Sequence, residues 1–341
     1  MKLINDASVW TGNSLGSKEK LVYKLNTRHL EEFKKNVDEI RRHALATYEI
    51  KQKDFPLSSM ADDLVNLRKQ LEKGQGLLVI RGLPIDTCSI QELEIIYWGL
   101  GTHFGVAVSQ SVMGDRLGHV IDVTDTDPNA RAYRNRQELN LHTDFSDIVS
   151  FLCVRKAKSG GLSWFASASA VHNEILRVRP DVLRILYRGF YWHRYEEEKP
   201  GESPVTPWRV PVFSSQSGNV SCRFIRSYIT EATTHDFVDN LSGEEHEALD
   251  MFESVSHADG MPIKFMLEPG EAVFINNFTT LHARESFVNH LALNQRRLLL
   301  RLWLTVPNGR PIVPEIQIYD SGREGGVPAQ PGKTPSYARK T

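Results

Sequence analysis

The 341-residue sequence predicts a mainly β fold, an antiparallel sandwich or barrel interrupted by helical insertions. From about residue 105 onwards, short runs rich in Val, Ile, Phe and Tyr alternate with turns of Gly, Pro, Asn or Ser, which is typical of antiparallel sheets. Helical periodicity is concentrated in the first third of the chain. The sequence contains no internal repeat, which disfavours solenoids and propellers.

Residues 1–75 predict a helical region packed on the core. An amphipathic helix with Thr27 as its N-cap is predicted from apolar residues at three- and four-residue steps: Leu30, Phe33, Val37, Ile40 and Ala44. A second helix is predicted from Ser59 to a stop at Gly74, and one of its faces carries Leu64, Leu67 and Leu71.

Residues 76–306 predict the core domain. The apolar run between Gly76 and Gly82 predicts a buried strand, and Ser89 with Glu92 forms a capping box that begins a helix. Further strands are predicted at 119–123, 149–154, 162–167, 208–213, 220–228, 262–267, 271–276 and 297–306.

Two helical insertions interrupt these strands. One is predicted at 169–186 with a bend near Pro180, and the other begins at Ser242, which pairs with Glu245 in a capping box. Residues 307–341 are rich in Pro and Gly and predict an irregular C-terminal arm.

Composition excludes several classes of function. The chain has 41 Lys and Arg against 42 Asp and Glu, without the basic excess of nucleic-acid or anionic-membrane binders. Three widely spaced cysteines, Cys88, Cys153 and Cys222, argue against a disulfide framework or a thiolate zinc site. We see neither a signal peptide nor an apolar run near the roughly 18 residues of a membrane span, and therefore expect a cytoplasmic protein.

The peptide around His142 and Asp144 carries the most chemical information. On an extended strand these two side chains point to the same face, where an imidazole and a carboxylate supply two ligands of a two-histidine, one-carboxylate iron(II) site. His282, just beyond a Pro-Gly turn and an apolar strand, is a candidate third ligand. The alternatives are an exposed polar turn at 142–144 and a core histidine at 282.

Two arginines occur in the last apolar strand. Arg297 and Arg301 are four residues apart and share a face, opposite Leu298, Leu300 and Leu302. A guanidinium inside an apolar strand needs an anionic partner, and a dicarboxylate cofactor is one such partner. A structural ion pair is the alternative for both.

The sequence resembles the iron(II)/2-oxoglutarate-dependent oxygenases of the taurine-dioxygenase and clavaminate-synthase-like family. The resemblance runs from about Gly76 to Leu304. It rests on His142-x-Asp144, the Gly160-Gly161-Leu162-Ser163 stretch, the turn and strand before His282, Arg297 and Arg301. It implies a double-stranded β-helix, or jelly roll, with helical insertions, and makes 76–306 the catalytic domain.

The resemblance also implies cofactors and site residues. His142, Asp144 and His282 correspond to the ligands of iron(II), and Arg297 with Ser163 to the residues that hold the distal carboxylate of 2-oxoglutarate. Arg301 corresponds to a position that binds the substrate carboxylate or sulfonate in acid-using members. With O2 as the second co-substrate, such an enzyme oxidises an unactivated C–H bond and releases succinate and CO2.

Four further residues are candidates for substrate contact: His103, Gln110, Trp192 and Asn277. The alternatives are structural roles: packing or turn formation for His103 and Gln110, a core position for Trp192, and a turn cap for Asn277. The charge run 194–199 is interpreted as a solvated loop.

We expect the substrate to be a small carboxylate- or sulfonate-bearing molecule, with amino acids among the candidates. With the same cofactors, desaturation or cyclisation in natural-product biosynthesis is an alternative, and a catalytically silent binding module on the same barrel is a third hypothesis. Neither nucleic acid nor a membrane is an expected partner. Homo-oligomers in which subunits exchange the C-terminal arm are a further expectation by analogy.

Overall fold

A computed structural model describes residues 1–125, 134–319, 326–330 and 332. Its helices are α1 Gly12–Leu15, α2 Thr27–Arg42, α3 Ala61–Lys73, α4 Ile90–Gly101, α5 Ala168–Val178, α6 Pro180–Arg188, α7 Arg226–Ala232 and α8 Gly243–His257. Its strands are β1 Val22–Lys24, β2 Leu77–Arg81, β3 Val106–Ala107, β4 Leu117–Val120, β5 Leu139–His142, β6 Ile148–Arg155, β7 Ser159–Gly160, β8 Ser163–Ser167, β9 Phe213–Gln216, β10 Asn219–Cys222, β11 Ile263–Phe265, β12 Glu271–Asn276, β13 Thr280–Arg284, β14 Phe287–Val288 and β15 Leu298–Thr305.

Two sheets dominate this mixed architecture of strands and helices. The larger sheet has seven strands in the order β1-β2-β12-β6-β15-β3, with β4 also paired to β15. The smaller sheet has the order β11-β8-β13-β5. Between the named strands that the structure describes, pairing is antiparallel except for β1 with β2, which confirms the predicted antiparallel character.

The larger sheet has an apolar layer on each face. On one face, a cluster that includes Leu300 and Phe274 packs against the N-terminal helices, through residues such as Phe33 of α2. On the other face, a second cluster combines Val149 and Leu299 of the larger sheet with Phe165 and Leu281 of the smaller sheet. Alternation along β15 separates the two clusters, because successive side chains of a strand point to opposite faces.

Several predicted boundaries are confirmed. The strand between Gly76 and Gly82 is β2, and the capping boxes at Ser89 and Ser242 begin α4 and α8. The helix expected from Ser59 is α3, which ends at Gly74 as predicted.

Other predicted elements differ from the structure. Asn26 rather than Thr27 caps α2, because its side chain accepts the backbone N–H of His29. The insertion at 169–186 is two helices, with Pro180 as the first residue of α6. Within the predicted strand 220–228, β10 ends at Cys222 and α7 begins at Arg226.

The C-terminal arm packs on its own chain where the structure describes it. Tyr319 hydrogen-bonds to the carboxylate of Glu197, and Gln330 Nε2 donates to the carbonyl of Glu198 at 2.6 Å. Gly326 forms an isolated bridge with Ser109. The remainder of the arm, 320–325, 331 and 333–341, lies outside the described residues.

Among the residues described, none of the helices combines the length and the apolar character that crossing a bilayer needs.

Candidate metal centre and cavity

Three candidate ligands meet at the edge where β5 pairs with β13. His142 is the last residue of β5 and lies directly opposite His282 of β13 in the strand register. The centroids of the two imidazole rings are 4.2 Å apart. Asp144 follows just after β5 rather than within it, which corrects the expectation that both residues lie on one strand.

The geometry of this cluster suits one metal ion. One candidate ligand atom from each of His142, Asp144 and His282 lies within 4.8 Å of the others. Nε2 of His142 is 3.9 Å from Oδ1 of Asp144, and Nε2 of His282 is 3.7 Å from Oδ2. Two imidazoles and one carboxylate form the ligand set of non-haem iron(II) oxygenases and leave further coordination positions open.

Neighbouring groups orient the ligands. Nδ1 of His142 hydrogen-bonds to the carbonyl of Asn140 at 2.8 Å, which leaves Nε2 facing the cluster. Trp303 Nε1 donates to Oδ2 of Asp144 at 2.9 Å. The side chain of Asn277 accepts the backbone N–H of Asp144 at 3.1 Å and donates to the carbonyl of Ser146.

The protonation states also suit metal binding. Burial opposes the charge of Asp144, but His282, Arg301, His142 and the Trp303 hydrogen bond hold its pKa below the ordinary value. Burial, helped by His142, lowers the pKa of His282 to about 3. At neutral pH the carboxylate is therefore ionised and the His282 ring neutral, as metal ligation requires.

The hydrogen bond from Asn277 leads to a first prediction. An Asn277→Ala variant is expected to lose about tenfold in iron(II) affinity, because the backbone that carries Asp144 loses its anchor. Asn276→Ala is the matched control: Asn276 is also buried, but it bonds to Leu71 and Phe278. Anaerobic iron(II) titration monitors both. An equal loss in the two variants would indicate a general packing defect and contradict the prediction.

The buried His282 leads to a second prediction, on the metal-free protein. Between about pH 3, the pKa of the folded state, and pH 6.5, the ordinary value, the unfolded chain binds a proton at this residue and the folded chain does not. The free energy of unfolding therefore gains up to about 1.4 kcal/mol per pH unit from this residue as pH rises. Urea titrations with a chelator at pH 5 and pH 7 should show a smaller pH dependence for His282→Gln. His246→Gln, at an exposed position of α8, is the control. Equal pH dependence in wild type and His282→Gln would refute the assignment.

A cavity of about 940 Å³ opens at the three ligands. Three buried guanidinium groups line it, from Arg284, Arg297 and Arg301. Ser163 and Gln110 line it as well. The volume lies toward the upper end of the usual range for ligand sites, so there is room for a co-substrate and a second small molecule.

Arg297 is buried, and among the described residues its guanidinium lies over the ring of Phe287 without an ion pair or a hydrogen bond to a side chain. Burial lowers its pKa to about 10, so it remains charged at neutral pH. The Gly160–Gly161 turn reaches it, since a Cβ built on Gly161 would lie 3.7 Å from Nε of Arg297. This proximity brings the Gly-Gly-x-Ser stretch and Arg297 to one end of the cavity.

Arg301 is held by Gln110. Its Nε donates to Oε1 of Gln110 at 2.6 Å, and its guanidinium lies over the ring of Trp303. Gln110 Nε2 in turn donates to the carbonyl of Arg301 at 3.0 Å. The structure therefore brings both residues to the cavity, with Gln110 as the residue that orients the guanidinium.

Three of the predicted substrate contacts, His103, Asn277 and Trp192, are not among the residues that line the cavity. His103 hydrogen-bonds to the carbonyl of Phe55 at 2.8 Å, within the N-terminal region. Asn277 anchors the Asp144 loop, as described above. Trp192 is fully buried and packs behind Phe145 and Tyr228, with ring centroids 6.2 and 5.9 Å away.

An aromatic wall of four residues, which the sequence analysis did not assign to the site, lines the cavity: Phe145, Tyr228, Tyr195 and His193. Successive ring centroids along this wall are 5.4, 4.6 and 4.6 Å apart. Tyr195 and Glu196 have positive φ angles of 52° and 62°, a costly conformation for residues other than glycine. The charge run interpreted as a solvated loop therefore includes part of the cavity wall. Its only sequence signal is the cluster of aromatic residues at 190–195.

Comparison with known proteins gives consistent results. Residues 40–303 match the family model described as "Taurine catabolism dioxygenase TauD, TfdA family". The chain is 30% identical over 319 residues to FR-33289 synthase of Streptomyces rubellomurinus, covering 91% of this chain and 92% of that protein. It is 26% identical over 311 residues to taurine hydroxylase-like protein SAT17 of Stachybotrys chartarum, covering 88% and 79%.

Solved structures share the fold. An asparagine oxygenase in complex with Fe(II), 2S,3S-3-hydroxyasparagine and succinate superposes with a TM-score of 0.65 at 15% identity, over 84% of this chain and 93% of that chain. The non-heme iron oxygenase OrfP in complex with Fe, succinate and (3S)-hydroxy-L-Arg superposes with a TM-score of 0.64 at 13% identity, over 84% and 94%.

Proposed function

The chain belongs to the taurine catabolism dioxygenase TauD, TfdA family and is an iron(II)- and 2-oxoglutarate-dependent dioxygenase, and on this premise we propose that His142, Asp144 and His282 hold its iron. The observation that carries the proposal is the convergence of three ligand atoms within 4.8 Å. When bound, iron(II) and 2-oxoglutarate supply the activation of O2, with release of succinate and CO2.

We propose Arg297 as the residue that binds the distal carboxylate of 2-oxoglutarate, with Ser163 as a second donor. The buried Arg297 guanidinium without an acidic partner in the described structure supports this role, because a bidentate carboxylate would compensate its charge. The Gly-Gly-x-Ser stretch, which approaches Arg297 at Gly161, supports the same placement of Ser163.

The fold and the domain limits form part of the proposal. We propose that the two sheets are those of a double-stranded β-helix, supported by their antiparallel pairing and by the apolar cluster that they share. The proposed catalytic domain spans 76–306, between the helical region 1–75 and the arm 307–341.

Arg301 is proposed to bind the acidic group of the substrate. It is buried, it lines the cavity that opens at the iron ligands, and Gln110 fixes its orientation. The aromatic wall is proposed to support the substrate body. Two of the fold neighbours were solved with hydroxylated amino acids, so amino acids are included in the proposed class of small carboxylates and sulfonates.

The protein's own contribution to the chemistry is orientation and exclusion of water. Arg297 and Arg301 each place an anion, and the ordered bonds to Asp144 and His142 keep the ligand atoms fixed before any substrate enters. The half-buried aromatic wall and the apolar side chains of the cavity, such as Val273 and Leu299, limit the access of water to the reacting C–H bond.

Release of succinate is the direct test. Purified protein with iron(II), 2-oxoglutarate and O2 is screened against amino acids, small carboxylates and sulfonates, and we expect one class to stimulate succinate formation. Mass spectrometry of the product separates hydroxylation, a gain of one oxygen, from desaturation or cyclisation, a loss of two hydrogens. Absence of succinate with every compound, and without added substrate, would favour the silent binding module.

A third prediction concerns Arg301. Arg301→Gln is expected to raise the KM for an acidic substrate by roughly 30- to 100-fold, because two charge-assisted hydrogen bonds are lost and the glutamine amide recovers part of them, with the KM for 2-oxoglutarate unchanged. Arg301→Lys, which keeps the charge, should recover part of the loss. An unchanged substrate KM in Arg301→Gln would refute the assignment of the acid to this residue.

Two expectations remain predictions from the sequence: the absence of nucleic-acid and membrane partners, and self-association of the chain. A cytoplasmic location likewise remains a prediction.

A further inference from the structure

One aromatic ring contacts two cavity-lining guanidinium groups. The guanidinium carbon of Arg284 lies 4.7 Å from the ring centroid of Phe287, and that of Arg297 lies 4.9 Å from the same centroid. The Phe287 side chain is 5% exposed. A single ring therefore compensates part of the cost of burying two positive charges, since the face of an aromatic ring attracts cations.

The ring takes the place that an acidic residue usually occupies. Among the residues that the structure describes, no carboxylate forms an ion pair with Arg284 or Arg297, although the charge of Asp122 acts on Arg284 from a greater distance. A carboxylate partner would occupy in-plane N–H donors of Arg297, whereas a ring that lies against the guanidinium leaves those donors available for a ligand.

Arg284 has a different set of contacts. It donates to the carbonyl groups of Asn135 and Gln137, just before the strand that carries His142. Burial, together with the charge of Arg297, lowers the pKa of Arg284 to about 9. Arg284 therefore adds positive charge to this end of the cavity and connects it to the segment that leads to His142.

Two glycines allow this close packing. Gly160 and Gly161 have φ angles of +73° and +79°, and Gly160 pairs with Phe287 across β7 and β14. A Cβ on Gly160 would lie 2.3 Å from the carbonyl oxygen of Ser286, and one on Gly161 would lie 3.5 Å from Cβ of Phe287. The turn between β7 and β8 is thus shaped around Phe287 as much as around Ser163.

We propose that Phe287 is a positioning residue for the co-substrate, whose ring holds the Arg297 guanidinium in place with its donors open to the distal carboxylate, while Arg284 adds the second positive charge. The inference rests on the proposed function, since it assumes that Arg297 binds 2-oxoglutarate. The proposed roles of Phe287 and Arg284 concern the binding of the co-substrate and are separate from the binding of iron by His142, Asp144 and His282.

The test compares three ligands that share different parts of the co-substrate. 2-Oxoglutarate carries both the keto acid and the distal carboxylate, pyruvate carries only the keto acid, and glutarate carries the distal carboxylate without the keto group. Isothermal titration calorimetry under anaerobic conditions measures the affinity of the iron(II) protein for 2-oxoglutarate and pyruvate. The affinity for glutarate is measured on the metal-free protein.

Phe287→Leu is expected to lower the affinity for 2-oxoglutarate and for glutarate by about tenfold. The affinities for pyruvate and for iron(II) should be unchanged. Phe287→Tyr, which keeps the ring, should retain most of the affinity, and Phe287→Met is a second ring-free variant should Leu impair folding. Phe265→Leu is the matched control, a buried phenylalanine of β11 whose ring contacts Phe165 and Lys18 rather than Arg284 or Arg297. Arg284→Met should likewise lower the affinity for 2-oxoglutarate and leave the affinity for pyruvate unchanged.

The outcomes separate the inference from the proposed function. If folded Phe287→Leu or Phe287→Met binds 2-oxoglutarate and glutarate as wild type does, the positioning role is wrong while the proposed function stands. An equal loss of pyruvate affinity would also overturn the positioning role, because a distorted metal centre would then explain the weaker binding of 2-oxoglutarate. If wild-type protein binds neither 2-oxoglutarate nor iron(II), the proposed function itself fails.

Discussion

An Asp144→Ala variant is expected to lose more than a hundredfold in iron(II) affinity and all detectable succinate formation. Residues that only support metal ligands typically contribute ten- to a hundredfold, and removal of the single carboxylate ligand should exceed that range. The substitution also leaves Trp303 Nε1 buried without its acceptor, which costs about 1–3 kcal/mol of stability. Anaerobic iron(II) titration and a succinate assay measure the two losses.

Asp147→Asn is the control for this experiment. Asp147 is buried in the same loop, three residues further on, and Oδ2 accepts the backbone N–H of Val306. An asparagine keeps one acceptor, so iron affinity should stay within a few-fold of wild type. If Asp144→Ala still binds iron(II) tightly, or if both variants lose it equally, the proposed ligand set is wrong.

An Arg297→Gln variant is expected to raise the KM for 2-oxoglutarate by roughly a hundredfold and leave iron(II) affinity unchanged. The variant loses two charge-assisted hydrogen bonds to the distal carboxylate, each with a contribution of about 1.5–3 kcal/mol before the glutamine recovers part of it. Steady-state succinate formation against 2-oxoglutarate concentration gives the KM, and anaerobic titration gives the metal affinity.

The neighbouring arginine provides the comparison for Arg297. Arg296 forms an ion pair with Asp125 at 2.7 Å and does not line the cavity. Arg296→Gln should therefore leave the KM for 2-oxoglutarate unchanged. A similar rise in both variants would indicate that the start of β15 had been disturbed, and no rise in Arg297→Gln would remove this residue from the co-substrate site.

Much of the candidate site could be predicted because its residues are closely spaced within extended segments of the sequence. His142 and Asp144 are two residues apart, and Arg297 and Arg301 are four apart, and an extended backbone places side chains at such even spacings on one side, although Asp144 lies just after β5 and Arg297 just before β15. The exact position of Asp144, two residues beyond the end of β5, depends on the Asn277 contact, which joins residues 133 positions apart and leaves no trace in local sequence.

The substrate contacts were less predictable for the same reason. His103, Trp192 and Asn277 are residue types that occur both in cores and in ligand sites, and only tertiary packing decides between them. Arg284 lines the cavity, and Phe287 packs behind it against the guanidinium groups of Arg284 and Arg297, through contacts that join distant parts of the sequence. Residues 220–228 were predicted as a strand because they form one of the short runs rich in Val, Ile, Phe and Tyr, although the four-residue spacing of Ile225 and Ile229 fits a helix equally well.

The alternation along β15 restricts how this strand can change. Its leucines at even positions belong to the helical side of the sheet, and Arg301 and Trp303 belong to the cavity side. Insertion or deletion of one residue between Arg297 and Arg301 would shift the pairing by one place and exchange the two sides, burying guanidinium groups among leucines and exposing leucines to ligands. Among homologous sequences, insertions and deletions should therefore be concentrated in surface loops. The spacing of four residues between these two arginines should stay constant.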